Sequence, residues 1–118
     1  LRVSKRNNLN ECLIGTGIPF ADQAHEKYLE EIDNVSKNSS GLRRLGAAAL
    51  DLAYVASGKF DAFWEINLNL WDISSGVLLV KEAGGKITEP NGKDWNINSR
   101  DILASNSVIH DAVIRKLS

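Results

Sequence analysis

Short apolar segments and helix-favouring stretches alternate along almost the whole 118-residue chain. Runs rich in alanine and leucine favour helices, whereas short runs rich in branched and aromatic residues favour strands. We predict strands at 1–6, 12–16, 42–45, 60–66, 86–89 and 102–105, and helices at 23–35, 47–57, 72–83 and 107–117. Such alternation is typical of an α/β layered domain with a mixed, largely parallel sheet that is flanked by helices.

Two of the predicted helices, 47–57 and 72–83, are apolar on most of their faces. A helix that is hydrophobic nearly all round is usually buried, so we expect both to be enclosed. Asp72 stands at the start of the second helix, and Glu65 stands at the end of the strand before it. Sites in sheets of this class form at the carboxyl ends of strands, which makes these two acids the first candidates.

The composition is that of an ordinary globular domain and argues against several function classes. A formal net charge of −1, with no long basic block, argues against nucleic acid or a membrane surface as the main partner. The apolar runs are far shorter than the roughly 20 residues of a membrane-spanning helix. Cys12 is the only cysteine, so no disulfide can form within the chain, and a reducing, cytoplasmic location is expected.

Each of the two acids also has a simpler structural explanation. Asp72 could only stabilise the helix dipole, or it could bind a hard cation such as Mg²⁺, which prefers oxygen ligands. Glu65 could be a solvated acid at a strand end, or it could accept hydrogen bonds from a hydroxylated substrate. The two carboxylates alone would hold a magnesium ion weakly.

A second group of candidates precedes and opens the helix at 47–57. Arg43 could lie on the surface, or it could pair with a phosphate or an acid. The three small residues from Gly46 to Ala48 could serve tight helix packing, or they could leave backbone N–H groups open to a ligand. Asp51 lies within the apolar helix, where we expect internal hydrogen bonds to satisfy its carboxyl group.

The stretch from Trp71 to Gly85, WDISSGVLLVKEAGG, resembles the second signature of the inositol monophosphatase family. That signature reads Trp-Asp, a few small or apolar residues, Gly, an apolar run and Glu-Ala-Gly-Gly. The upstream stretch from Leu42 to Glu65 is similar to the same family, and so is the opening of the chain, Val3–Arg6 followed by Leu13–Gly17. The resemblance covers nearly the whole chain and is greatest to the bacterial SuhB-type branch.

The resemblance implies a fold and an activity. The fold would be the C-terminal part of the αβαβα sandwich that inositol monophosphatases share with fructose bisphosphatases. The activity would be that of a magnesium-dependent, lithium-sensitive phosphomonoesterase, in which metal-activated water hydrolyses inositol monophosphate to inositol and phosphate. Inositol phosphate or a related polyol phosphate is the implied substrate, and a homodimer is a common assembly in the family.

Carried over residue by residue, the resemblance implies a role for six positions. Asp72 would bind the catalytic Mg²⁺ and face the substrate, and Glu65 would contact inositol hydroxyl groups. Three small residues would line the substrate pocket and one arginine would contact substrate; these are Gly46, Ala47, Ala48 and Arg43. Many relatives have Ser or Thr where this chain has Ala47, so only backbone contacts are expected there.

Two motifs of the family do not occur in the 118 residues: the first signature, Asp-Pro-Ile-Asp-Gly-Thr, and the Gly-Glu-Glu stretch that supplies further metal ligands. Both belong to the N-terminal half of family members, and the chain also contains no methionine. We therefore expect residues 1–118 to be the C-terminal domain of a longer protein whose N-terminal, metal-binding half is absent here. We expect this chain alone to retain no Mg²⁺ and to be inactive.

The resemblance also implies an alternative function of a different class. SuhB-type relatives are associated with the transcription machinery and with ribosomal RNA synthesis. The protein could therefore act mainly as a regulatory binding partner of that machinery rather than as a phosphatase. The basic pair Arg43-Arg44 is compatible with such a role.

Overall fold

The computed structural model describes residues 1–17 and 25–118. Its strands are β1 (Leu13–Thr16), β2 (Gly41–Arg43), β3 (Ala62–Glu65), β4 (Lys86–Thr88) and β5 (Ile102–Ser105). They form one five-stranded sheet in the order β2-β1-β3-β5-β4. β1 pairs in parallel with β2 and β3, whereas β5 is antiparallel to both β3 and β4. Of the described strands only β5 opposes the others, so the prediction of a mixed, largely parallel sheet is confirmed.

Helices cover both faces of this sheet. They are α1 (His25–Asn38), α2 (Ala48–Ala56), α3 (Leu70–Glu82) and α4 (His110–Leu117). Because side chains alternate along a strand, Phe63 packs into the core under α2 and α3, while Trp64 packs into the core under α1 and α4. None of the helices in the described ranges is long and apolar enough to span a membrane.

α2 and α3 pack closely against one another at a glycine. A Cβ atom added to Gly76 of α3 would lie 2.6 Å from Cδ1 of Leu52 on α2. Leu52, Val55, Ile73 and Val80 of the two helices are fully buried, and they form the core on this face of the sheet. One apolar side of each helix therefore faces the sheet and the neighbouring helix.

The expectation that both helices are enclosed is wrong for their outer faces. Trp71 and Leu78 of α3 are 92% and 58% exposed, and Leu50 of α2 is 44% exposed. A helix that lies on a sheet buries only the side that touches it. Within the described part of the chain nothing covers the other side, so apolar residues there remain exposed.

The predicted strand at 1–6 is also wrong, because this segment has no regular secondary structure. Val3 donates its amide to the carbonyl of Ala83 at 3.1 Å and packs against the core under α2 and α3. Ser4 donates its hydroxyl to the carboxylate of Asp61. The segment therefore lies against the end of α3 and against Asp61 without pairing with a strand.

The boundaries of several elements differ from the predictions by a few residues. The predicted start of the first helix, at residue 23, lies outside the described residues, and its end extends from Val35 to Asn38. α3 begins at Leu70, two residues before the predicted start. The strand predicted at 60–66 is shortened to β3 at both ends. Helix ends commonly differ by one or two residues between assignments.

Asp61 organises the end of the sheet at which β1 and β3 begin. Its buried carboxylate accepts hydrogen bonds from the Leu13 amide at 2.8 Å, from Nη1 of Arg6 at 3.0 Å and from the Ser4 hydroxyl. Asn106, which follows β5, donates Nδ2 to Oγ of Ser4 and to the carbonyl of Arg6, both at 2.9 Å. The buried charge is therefore fully satisfied, as buried charges in stable folds usually are.

A buried histidine is satisfied in the same way. His110 of α4 lies 2.7 Å through Nδ1 from the Ser105 hydroxyl and 2.7 Å through Nε2 from the Thr88 hydroxyl. The Thr88 hydroxyl donates to the carbonyl of Glu89, so Nε2–H donates to Thr88 and Nδ1 accepts from Ser105. Burial, together with the positive charge of Lys86 and against the negative charge of Asp111, lowers the pKa of His110 to about 4.

Candidate functional site

A cavity of about 480 Å³ lies at the carboxyl ends of β1 and β3, on the side of the sheet that α2 and α3 cover. Its walls come from the residue after β1, the start of α2, the end of β3 and the start of α3. The lining residues are Gly17, Arg44, Gly46, Ala47, Ala48, Ala49, Glu65, Leu68, Trp71 and Asp72. Five of the six residues that the sequence analysis singled out therefore line one cavity.

Glu65 forms the floor of the cavity. It is the last residue of β3 and is partly buried, and a Cβ atom added to Gly17 would lie only 1.7 Å from its Oε1. Only a glycine allows this close approach of the carboxylate to the backbone. Burial raises the pKa of Glu65 to about 7, with the negative charge of Asp72 acting in the same direction and the positive charge of Arg44 opposing it.

Asp72 lies in the first turn of α3, with an exposed side chain. Its amide donates to the carbonyl of Asn69 at 3.0 Å, while the side chain of Asn69 makes no capping hydrogen bond. The positive end of the helix dipole favours a carboxylate at this position. Its negative charge raises the pKa of Glu65 across the cavity.

The start of α2 presents backbone groups to the cavity. Ala47 is the N-cap residue, and it has no side chain that could cap the helix. Gly46 has a φ of +81°, and an added Cβ atom would meet nothing within 4 Å, so its role lies in the backbone turn rather than in packing. The amides of Leu50 and Asp51 donate to the carbonyl of Ala47, which leaves the earlier amides of the first turn without helical partners. This is the arrangement that binds anions at helix ends.

The two adjacent arginines differ in their surroundings. Arg44 lines the cavity, and its charge lowers the pKa of Glu65. Arg43 is exposed, is absent from the cavity lining, and donates Nη1 to the carbonyl of Leu42 at 2.8 Å. The geometry therefore favours Arg44, the second arginine of the pair, whereas the family resemblance implied Arg43.

Asp51 of α2 differs from its predicted environment. It is only 1% exposed, and its Oδ1 has no hydrogen-bond partner among the described residues. The expectation that internal hydrogen bonds satisfy this carboxyl group is therefore wrong for Oδ1. Burial raises the pKa of Asp51 to about 7, and the negative charge of Glu65 contributes. A charged residue within an apolar helical run was the signal in the sequence.

The described residues contain no group of three or more His, Cys, Asp or Glu side chains that could hold a metal ion. A magnesium site usually combines one or two carboxylates with water and substrate oxygens. Among the described residues, the cavity lining offers only Asp72 and Glu65 as acidic groups. The described part of the chain therefore fits one side of a metal site and not a complete one.

Comparison with known proteins identifies the class of this chain. The model of the inositol monophosphatase family matches residues 1–118, and the chain belongs to that family. It is 48% identical to an inositol-1-monophosphatase from Caulobacter vibrioides, covering 99% of this chain and 46% of that protein. It is 46% identical to a putative Nus factor SuhB from Neisseria meningitidis serogroup B, covering 100% of this chain and 46% of that protein.

The solved structures agree with this assignment. The crystal structure of extragenic suppressor protein suhB from Bartonella henselae matches with a TM-score of 0.94 at 46% sequence identity. The match covers 99% of this chain and 45% of that chain. The predicted family and fold class are thus confirmed, and the chain spans about half the length of the relatives it matches.

Proposed function

We propose that this chain is the C-terminal domain of a longer protein that hydrolyses inositol monophosphate or a related polyol phosphate in a Mg²⁺-dependent reaction. The observation that carries the proposal is that Asp72, Glu65 and the open start of α2 line one cavity in a chain of this family. An anion site, a hydroxyl acceptor and a cation ligand are the three features that such a substrate and such a metal need.

Each group in the cavity has a proposed role in binding. The uncapped start of α2 at Ala47 and Ala48, with Arg44 beside it, attracts the phosphate group. In its ionised form Glu65 accepts hydrogen bonds from the hydroxyl groups of the substrate. Asp72 is a ligand of the metal ion. Arg43, which the family resemblance implies as a substrate contact, lies outside the cavity lining, so we assign the contact to Arg44.

A divalent cation held there would polarise the phosphate and lower the pKa of its bound water. Asp72 contributes one carboxylate, placed at the positive end of α3, and the remaining ligands come in this proposal from outside the 118 residues. The exposed apolar faces of α2 and α3, with Leu50, Leu78 and Trp71, are the proposed contact surface for that N-terminal half. This is consistent with the chain covering only 46% of its Caulobacter relative.

The first experiment replaces the metal ligand. Asp72→Asn in the complete protein removes the charge and keeps the size of the side chain, so kcat should fall by roughly 100-fold or more while the fold is retained. Asp111→Asn is the matched control, because Asp111 is also an exposed acid in the first turn of a helix. Activity of Asp72→Asn near that of the control would refute the assignment.

The second experiment uses the 118-residue chain by itself. We expect no Mg²⁺-dependent hydrolysis of inositol 1-phosphate, because two carboxylates are too few to hold the ion. The purified chain should be compared with a chimera in which it replaces the matched part of the Caulobacter enzyme. Hydrolysis by the chain alone, at a rate that Asp72→Asn abolishes, would show that no second half is needed.

A second candidate function is regulatory binding to the transcription machinery. The observation that favours it is the 46% identity to the Neisseria protein named as a putative Nus factor SuhB. The exposed Arg43, outside the cavity lining, could contribute to a binding surface of this kind. Co-purification of transcription factors with the complete protein, measured for Asp72→Asn and for Arg43→Ala, separates the two functions. Catalysis should depend on the first substitution and partner binding on the second.

A further inference from the structure

We propose that Asp51 is a positioning residue for Glu65: its buried carboxyl group, whose Oδ1 has no partner among the described residues, holds the Glu65 carboxylate at the cavity, where a hydroxylated ligand can reach it. The proposal rests on the proposed function of the cavity and extends it to a residue outside the lining. It concerns how the acceptor is oriented and not a contact with the ligand.

The two carboxyl groups lie along the same stretch of β1. A Cβ atom added to Gly15 would lie 2.8 Å from Oδ1 of Asp51, and one added to Gly17 would lie 1.7 Å from Oε1 of Glu65. Residues two apart in an extended chain are separated by about 6 to 7 Å. Glu65 alternates with Trp64, so it lies on the face of the sheet that α2 covers. Gly17 lines the cavity and Gly15 does not, so Asp51, which faces Gly15, lies behind Glu65 and farther from the cavity.

The charges around Glu65 favour a position of its carboxylate at the cavity. Asp51 repels it from the interior, and Arg44, which lines the cavity, attracts it outward. Asp72 repels it from the start of α3. Among the described residues no positive group pairs with Asp51. There is therefore no cation beside Asp51 that would attract the Glu65 carboxylate into the interior. Burial raises the pKa of both Asp51 and Glu65 to about 7; the charge of Glu65 adds to the shift of Asp51, and the charge of Asp72 adds to that of Glu65.

A purely structural role does not account for Asp51. A buried carboxyl group that serves the fold has donors around it, as Asp61 has in this same molecule. Oδ1 of Asp51 has none within residues 1–17 and 25–118, and burying a polar atom without a partner destabilises the folded state. A residue that costs stability and lies behind a site residue fits a functional constraint on the site.

The test is a double-mutant cycle on Asp51→Asn and Glu65→Gln. In this chain, unfolded with urea at about pH 8, Asp51→Asn should raise the midpoint, because it removes an uncompensated buried charge. The gain should shrink in the Glu65→Gln background, because the repulsion has already been removed. An Asp51→Asn chain that is less stable than the wild type, or a gain that is unchanged in Glu65→Gln, would overturn the proposal.

The functional arm uses the complete protein with inositol 1-phosphate. Asp51→Asn should raise KM by about three- to tenfold with a smaller change in kcat, and should have no further effect on KM in the Glu65→Gln background. An active Asp51→Asn enzyme with the wild-type KM would refute the positioning role. Absence of hydrolysis by the wild type would instead contradict the proposed function, and the stability cycle would still decide the coupling.

Discussion

The acids at the two ends of the sheet differ in how many hydrogen bonds they accept. Where β1 and β3 begin, Asp61 accepts three hydrogen bonds, and Asn106 ties the same groups to the end of β5. Where β1 and β3 end, Glu65 and Asp72 share a cavity and accept no hydrogen bond from the described residues, and Oδ1 of Asp51 behind them is also unpartnered. One chain thus contains a satisfied acid cluster and an unsatisfied one.

This difference separates the acid that the fold satisfies from the acids that we propose as site residues, without reference to any other protein. A satisfied buried charge stabilises the fold because its removal leaves donors without acceptors. An unsatisfied one raises the free energy of the folded state, and ligands can relieve that cost because they bring donors or cations. The unsatisfied end also adjoins the exposed apolar faces of α2 and α3, whereas the outer face of α1 is rich in charged residues.

The largest effect should come from the satisfied end. Asp61→Ala removes the acceptor of the Leu13 amide, of Arg6 and of the Ser4 hydroxyl, and should lower the free energy of unfolding by about 3 to 5 kcal/mol. Urea unfolding of the chain measures the loss. Asp61→Asn keeps one acceptor oxygen and should lose less. A loss below about 1 kcal/mol would mean that the network does not hold this end together.

A pH titration of stability should show the opposite behaviour at the unsatisfied end. The folded-state pKa of Asp51, about 7, lies above the value of 3.8 for the unfolded chain, so the folded state binds more protons between them. Stability from this group is present below about pH 4 and is lost as the pH rises through 7, by up to about 4 kcal/mol. The advantage of Asp51→Asn over the wild type should therefore grow from pH 4 to pH 8. Glu30→Gln, at an exposed acid of α1, should follow the wild type throughout.

His110 should give a pH dependence of the reverse sign. Its folded-state pKa of about 4 lies below the ordinary value of 6.5, so the unfolded chain binds more protons between these values. Stability from the neutral imidazole is complete above about pH 6.5 and is lost as the pH falls to 4, by about 3 kcal/mol. His110→Gln should be less stable at neutral pH and should lack this dependence. An unchanged acid-side slope in His110→Gln would assign the slope to other groups.

The smallest effect on this chain should come from the exposed apolar face. Leu78→Ser should change the free energy of unfolding by less than about 0.5 kcal/mol, because the side chain is 58% exposed. In the complete protein the same change should lower stability or activity, because we propose that the N-terminal half contacts this face. Leu29→Ser on α1, at a leucine that is 50% exposed, is the matched control and should be neutral in both. Equal behaviour of the two variants in the complete protein would argue against the proposed contact.

Much of this architecture could be read from the sequence because it depends on local patterns. The period of the apolar residues fixes which segments are helices and strands, and their alternation predicts the α/β class. The family signature from Trp71 to Gly85 also lies within a single stretch. It implied roles for Asp72 and Glu65, and both line the cavity.

Only the tertiary structure decided which neighbouring groups meet. Arg44 lines the cavity and Arg43 does not. Arg44 follows β2, and the direction of a side chain at that point depends on the turn after the strand. Oδ1 of Asp51, which has no partner among the described residues, faces Gly15 of β1, where an added Cβ atom would lie 2.8 Å from it. The sequence by itself determined the family, the layers and two acids of the cavity. Hydrogen-bond satisfaction is a property of contacts between distant segments, so only the folded structure could separate Asp61 from Asp51.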